Sequence, residues 1–216
     1  GASSLRIPGK FSYSMGAATD DRAAVAVDTG AWGGRNDGGI AYWIGGQVSL
    51  KLRPASFVQL SLGPYYQHTL DGWAYLELAD SGNPIVARMP RDVVSVTARA
   101  SVAITPELTL QLYSMPYLTA ATRSDFVEVT APKSRRFADH FTPVDYAGAR
   151  YLWSSQIRTN AVLRWEYVPG SLLFLVWSRE QEEFTDTRGR LQLGRDTQRA
   201  WTAPSVDTVL LKWSHW

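Results

Sequence analysis

The segment Asn160–Ser178, NAVLRWEYVPGSLLFLVWS, constrains the fold most, because its side chains alternate with a period of two on either side of a short turn. Counting back from that turn, Ile157, Thr159, Ala161, Leu163, Trp165 and Tyr167 share one face. Arg158, Asn160, Val162, Arg164 and Glu166 share the other. Successive side chains of a strand point to opposite sides, so this is a strand with one apolar, aromatic face and one face carrying three charges. After Val168-Pro169-Gly170 the chain returns with Leu173, Leu175 and Trp177 on a common face. A hairpin of this kind belongs to an antiparallel sheet. What the rest of the chain must decide is which face is the inside.

The same alternation recurs along the chain. Phe11–Thr19 and Ala23–Trp32 read as strands around Asp20-Asp21-Arg22, and Gly33–Gly39 (GGRNDGG) reads as a flexible loop. In Ile40–Leu52, Tyr42, Ile44, Val48, Leu50 and Leu52 oppose Gln47, Ser49, Lys51 and Arg53. Arg53-Pro54-Ala55-Ser56 turns the chain into Phe57–Thr69, which continues to Leu78 if Asp71-Gly72 is a bulge and not a turn. Ile85–Ile104, Leu108–Ala121 and Val206–Trp216 complete the set, giving about nine strands (roughly 8–10), where bacterial single-chain barrels carry even numbers. Gly1–Lys10 reads as a loop or partial strand without the apolar stretch of a secretory signal. Residues 122–155 and 185–205 read as long loops, expected to be extracellular, the second with a short helix around Arg190–Ala200.

Two regularities select the architecture. The turns after Leu52, Ile104 and Val168 are short and contain proline, while the connections at the other end run up to the whole of Thr122–Ser155. Strands also exceed the ~5–6 residues of globular sheets and match the ~9–11 that cross a bilayer at a tilt. Short turns on one rim and long loops on the other are the pattern of transmembrane β-barrels. The expected fold is therefore all-β: an up-and-down antiparallel transmembrane β-barrel in one domain spanning 1–216, whole in itself or part of a larger barrel. No apolar run approaches the ~18 residues of a membrane helix. With 22 Lys and Arg against 20 Asp and Glu, nothing marks a nucleic-acid surface. The chain has no cysteine, which removes disulfides and thiolate metal sites. Nine Trp and ten Tyr suit the aromatic girdles of a membrane barrel, and equally an aromatic core.

VQLSLGPYY, ITPELTLQLY, RRFADHF, NAVLRWEYVPGSLLFLVWS and the closing LLKW together resemble the C-terminal domain of unknown function of large bacterial outer-membrane proteins. Those proteins carry an N-terminal module similar to family-9 carbohydrate-binding modules. The resemblance covers roughly Phe57–Trp216 and is most specific at Arg164–Ser171. It implies a barrel in the outer membrane of a Gram-negative cell, and it carries over no catalytic or binding residue. The N-terminal module has no counterpart in this chain, so a missing module or partner chain is expected. The last strand ends like those recognised by barrel assembly machinery, with Val209, Leu211 and Trp213 alternating, although Trp216 falls in register with Lys212 and Ser214.

On that reading Tyr42, Trp165, Tyr167, Trp177 and Trp213 face lipid and lipopolysaccharide, and Lys51, Arg53, Arg99, Arg158, Arg164, Glu166 and Lys212 line the lumen. A cationic lumen favours anionic solutes if open, whereas barrels of about eight strands are filled by their own side chains. The expected function is a narrow pore or a membrane scaffold. A non-conducting anchor for a surface module is the alternative, and a soluble lipocalin-like barrel with the faces exchanged is the weaker one. No cofactor is expected. His68, His140 and His215 have no metal-ligand spacing, and no motif surrounds a serine, so neither metal nor enzymatic catalysis is expected, Asp139-His140 near Asp145 being the nearest cluster. KSRRFADHF (Lys133–Phe141) reads as a solvated loop or as a contact for lipopolysaccharide phosphates, and Glu180–Glu183 as a solvated rim.

Overall fold

The computed structural model describes residues 9–216. The loop expected over the first ten residues falls almost wholly outside that range. Alternation does produce strands: β1 (Lys10–Ala18), β2 (Val25–Asn36), β3 (Tyr42–Ala55), β4 (Val58–Leu78), β5 (Pro84–Ala103), β6 (Leu108–Thr122), β7 (Ser124–Val129), β8 (Phe141–Pro143), β9 (Tyr151–Val168), β10 (Ser171–Thr185) and β11 (Ser205–Ser214). One α-helix, α1 (Leu193–Thr202), precedes the last strand. The sheet is antiparallel and up-and-down, in the order β1-β2-β3-β4-β5-β6-β9-β10-β11, with β7 on the upper part of β5 and β8 on β7.

Several boundaries differ from expectation. Gly33–Asn36 of the glycine-rich loop continue β2, because Gly33 and Gly34 pair with Ile44 and Trp43. Trp43 and Trp32 lie across Gly34 and Gly45, and a Cβ on Gly45 would come within 2.7 Å of the Trp32 ring, so glycine is what lets the indole lie flat on the strand. Asp71-Gly72 is a bulge and not a turn, since β4 passes through it with a shift of register and pairs with β5 up to Leu78↔Pro84. Pro54 lies within β3, where the register against β4 also shifts, and only Ser56-Phe57 separate the two strands. The long 122–155 connection is not a plain loop. It holds the β7–β8 pair and a turn of 3-10 helix at Phe137–His140, and β9 begins already at Tyr151.

Register joins one face of the strands into a continuous apolar surface, while Val162, Phe174 and Val176 fall on the other face. Followed from strand to strand, Val25, Leu52, Leu60, Ala100, Leu112, Ala161, Trp177 and Val209 are linked through successive partners. This face is the more exposed one: Met15, Ile44, Leu62, Leu112, Leu175, Val209 and Leu211 all lie bare on it. The buried core lies instead among the long connections. Leu118, Ala120, Trp153 and Ile157 pack under Ala200 of α1, and Val86, Val127 and Val129 form a second cluster beside Trp73 and Phe141.

The closed barrel expected from the sequence is not formed by the described residues, whose sheet is open. β1 and β11 are exposed along both faces and neither pairs with the other. Because seven strands of alternating direction lie between them, β1 and β11 run in the same sense.

Candidate functional site: two faces of one sheet

The apolar face is banded. On the long-loop side, the Tyr66 hydroxyl donates to Asp92 Oδ1 (2.9 Å), His68 Nδ1 lies 2.8 Å from the same oxygen, and Tyr42 Oη lies 3.2 Å from His68 Nε2. Further round, Arg179 Nε and Trp177 Nε1 both donate to Asp207 Oδ1 at 2.8 Å. At the short-turn rim, Trp213 Nε1 donates to Tyr167 Oη (2.6 Å), which lies 3.1 Å from His215 Nδ1, with Trp165 edge-on to Tyr167. Between these levels the face is mainly aliphatic, with Ser114 and Thr159 bonding hydroxyl to hydroxyl at 3.0 Å. From Val58 to His68 the strand rises about 33 Å, or about 25 Å at the ~40° tilt of membrane barrels, the height of their apolar band. All five aromatic residues assigned to lipid, Tyr42, Trp165, Tyr167, Trp177 and Trp213, lie on this face at its margins.

The opposite face carries the polar residues. An open cavity of about 720 Å³ is lined by Asp28, Gln47, Ser61, Tyr65, Gln67, Arg91, Arg99 and Tyr117 among others. Trp32 closes its side, donating from Nε1 to Gln67 Oε1 (3.3 Å) and packing on Tyr65 at 5.5 Å. Of the residues assigned to the lumen, Arg99 alone reaches this cavity, with its guanidinium 5.2 Å from the Tyr113 ring. Lys51 lies between Ala26 and Ser61 in cross-strand register on the same face. Arg53 turns down to the short-turn rim and donates to the carbonyls of Asp21 and Ala23.

The remaining assigned residues fall in the β9–β11 half and are largely neutralised. Arg158 faces Glu180 across the strands (3.5 Å), and Arg164 donates to Glu166 (3.2 Å), which also accepts the Gly170 amide (3.0 Å). Lys212 is level with Phe174. The polar face is thus less cationic than the residues assigned to the lumen imply. Asp28 lines the cavity and Glu180 pairs with Arg158, so the polar face is mixed in charge. Arg91 was missed although its parity with Arg99 was readable. Glu180 was missed because it sits in an acidic run that resembles a solvated rim.

Lys133–Phe141 is not a free loop. His140 is buried, its Nε2 is 2.8 Å from the Ser134 carbonyl, and Phe137, His140 and Phe141 cluster edge to face, with Phe141 4.4 Å from Trp73. Among the described residues no group of three or more His, Asp or Glu stands close enough to hold a metal ion. The polar face offers hydroxyl, amide and guanidinium groups, which suit water and polar solutes. No family model, curated protein or solved structure matches this chain.

Proposed function

We propose that this chain forms the greater part of a transmembrane β-barrel of a bacterial outer membrane, a scaffold or narrow pore whose polar face lines the interior. One observation carries the reading: the apolar face is the exposed face, and it is bounded on both sides by aromatic and polar residues. A soluble sheet would cover such a face, since each exposed Leu or Val left in water forgoes about 1.5–3 kcal/mol of burial. Hydrocarbon in place of water removes that cost. The resemblance to outer-membrane domains points the same way.

The cross-strand pair Arg158–Glu180 and the pair Arg164–Glu166 along β9 favour the scaffold over an open anion channel, because paired charges fill space and cancel one another. The test is extraction and heat-modifiability. Expressed with a secretion signal, the protein should require detergent for extraction and should migrate differently on SDS gels before and after boiling. A monodisperse protein without detergent, with no mobility change, would exchange the faces and make the polar one the outside.

A further inference from the structure

We infer that α1 is an interfacial helix, seated on the outside of the sheet at the level of the lipid headgroups, with one flank in the acyl boundary and the other toward anionic phosphate. The inference rests on the membrane reading above. α1 lies on the apolar face, not the polar one. Ala200 packs on Trp153 and Ile157, and Gln181, in register with Ile157, donates to the carbonyls of Trp201 (3.0 Å) and Ala203 (3.2 Å). The height follows from register. On β10, Gln181 is the next position on this face beyond Arg179, whose pair with Asp207 marks the margin of the aliphatic band.

The flanks are set by helical geometry. At about 100° per residue, Asp196 and Ala200 point to the sheet, Leu193 and Trp201 lie roughly a quarter turn to one side, and Arg195 and Arg199 lie a quarter turn to the other. Leu193 and Trp201 are more than half exposed. Leu193 overhangs an apolar groove of about 800 Å³ on the outer face, lined by Val48, Pro64, Tyr66, Val94 and Val96. That groove is continuous with the aliphatic band, so the Leu193 flank points toward the membrane interior. Arg199 reaches the other way, to Glu183, one step further up β10 than Gln181 on this face. The Arg195 side chain is exposed and bonded to Gln192 of its own segment. A helix with Leu and Trp on one flank and Arg on the other is the composition that settles in a headgroup layer.

The chain has no cysteine, so single reporters are unambiguous. Leu112→Cys, Leu193→Cys, Trp201→Cys and Arg195→Cys would each be labelled with a nitrobenzoxadiazole dye. The labelled proteins would then be folded into phosphatidylcholine–phosphatidylglycerol vesicles containing lipid with a nitroxide at acyl carbon 5 or 12. The deep nitroxide should quench the Leu112 site at least twice as strongly as the shallow one. Leu193 and Trp201 should show the reverse order, and Arg195 should be quenched by neither. If Leu112 is quenched while Leu193 and Trp201 are not, the helix stands in water and the inference is overturned, the membrane reading surviving. If Arg195 and Trp201 are quenched alike, the proposed orientation is wrong. If Leu112 is unquenched as well, the membrane reading falls together with the inference.

Discussion

Trp153 shows how one residue holds the upper part of this sheet. It is fully buried, with Leu118, Ala120, Ile157 and Ala200 around it and the guanidinium of Arg188 4.4 Å from its ring. Trp153→Ala should cost about 3–5 kcal/mol, the range for deleting a buried aromatic side chain, and should free α1 before it disturbs the strands. Proteolysis within residues 186–204, compared between the folded variant and wild type, checks this. Glu128 is a pH-sensitive contact on the β7–β8 hairpin. Hydrogen bonds from Ser81 and then from Asn83 hold its carboxyl below the ordinary 4.5. A depressed folded pKa contributes stability that is present above 4.5 and is lost as pH falls through the folded value. Protection factors of the amides of residues 124–143, which remove the intrinsic slowing of exchange in acid, should therefore fall on acidification below 4.5 in the wild type, and Glu128→Gln should remove that dependence. Gly170, at φ +81, closes the β9–β10 hairpin. Gly170→Ala should destabilise by about 1–2 kcal/mol, read as a lower denaturant midpoint of the detergent-folded protein.

Among the elements, α1 was expected around Arg190–Ala200, but its docking and the β7–β8 pair were hardest to read, and for the same reason. Neither has a period that identifies its packing partner. α1 docks through a fully buried carboxylate, Asp196, which accepts from Arg188 (3.2 Å) and from the Gln192 amide (2.6 Å). Removing one partner of a buried pair leaves the other uncompensated, at a cost of about 3–5 kcal/mol. Asp196→Ala should accordingly release α1 while leaving the strand spectrum of circular dichroism unchanged, and loss of strand signal would show that the helix supports the whole sheet. The long strands were legible because burial differs between their two faces. Their upper ends were not, because there a second element covers a face and the alternation no longer reports exposure. Ser155 and Gln181 are buried polar residues on the apolar face for that reason.

The whole molecule poses a question of closure. Unpaired backbone groups at a strand edge cost several kcal/mol each in hydrocarbon, so an inserted sheet must pair both β1 and β11. As these strands run in the same sense, a direct seam between them would be parallel. Antiparallel closure takes an odd number of further strands. Met15→Cys combined with Leu211→Cys distinguishes the two. An oxidised, intrachain disulfide in the membrane-inserted protein means a parallel seam, and failure to cross-link under conditions that oxidise a control pair at Leu175 and Leu211 means intervening strands. The polar face makes a further prediction for a conducting barrel. Arg99→Gln should shift the reversal potential in planar bilayers toward cation preference, and Arg164→Gln should shift it less, since Glu166 already offsets Arg164.

The strands, their two unlike faces, the short and long rims and the hairpin around Pro169-Gly170 were legible before any contact was known, because each is a local property of alternation and turn chemistry. The rest came from how distant segments meet. Register brought Arg158 to Glu180, and strand count left β1 and β11 running the same way. Packing of α1 turned part of an exposed face into a core. These are relations between residues far apart in the chain, and no periodicity within one strand specifies which residue of another will stand across from it.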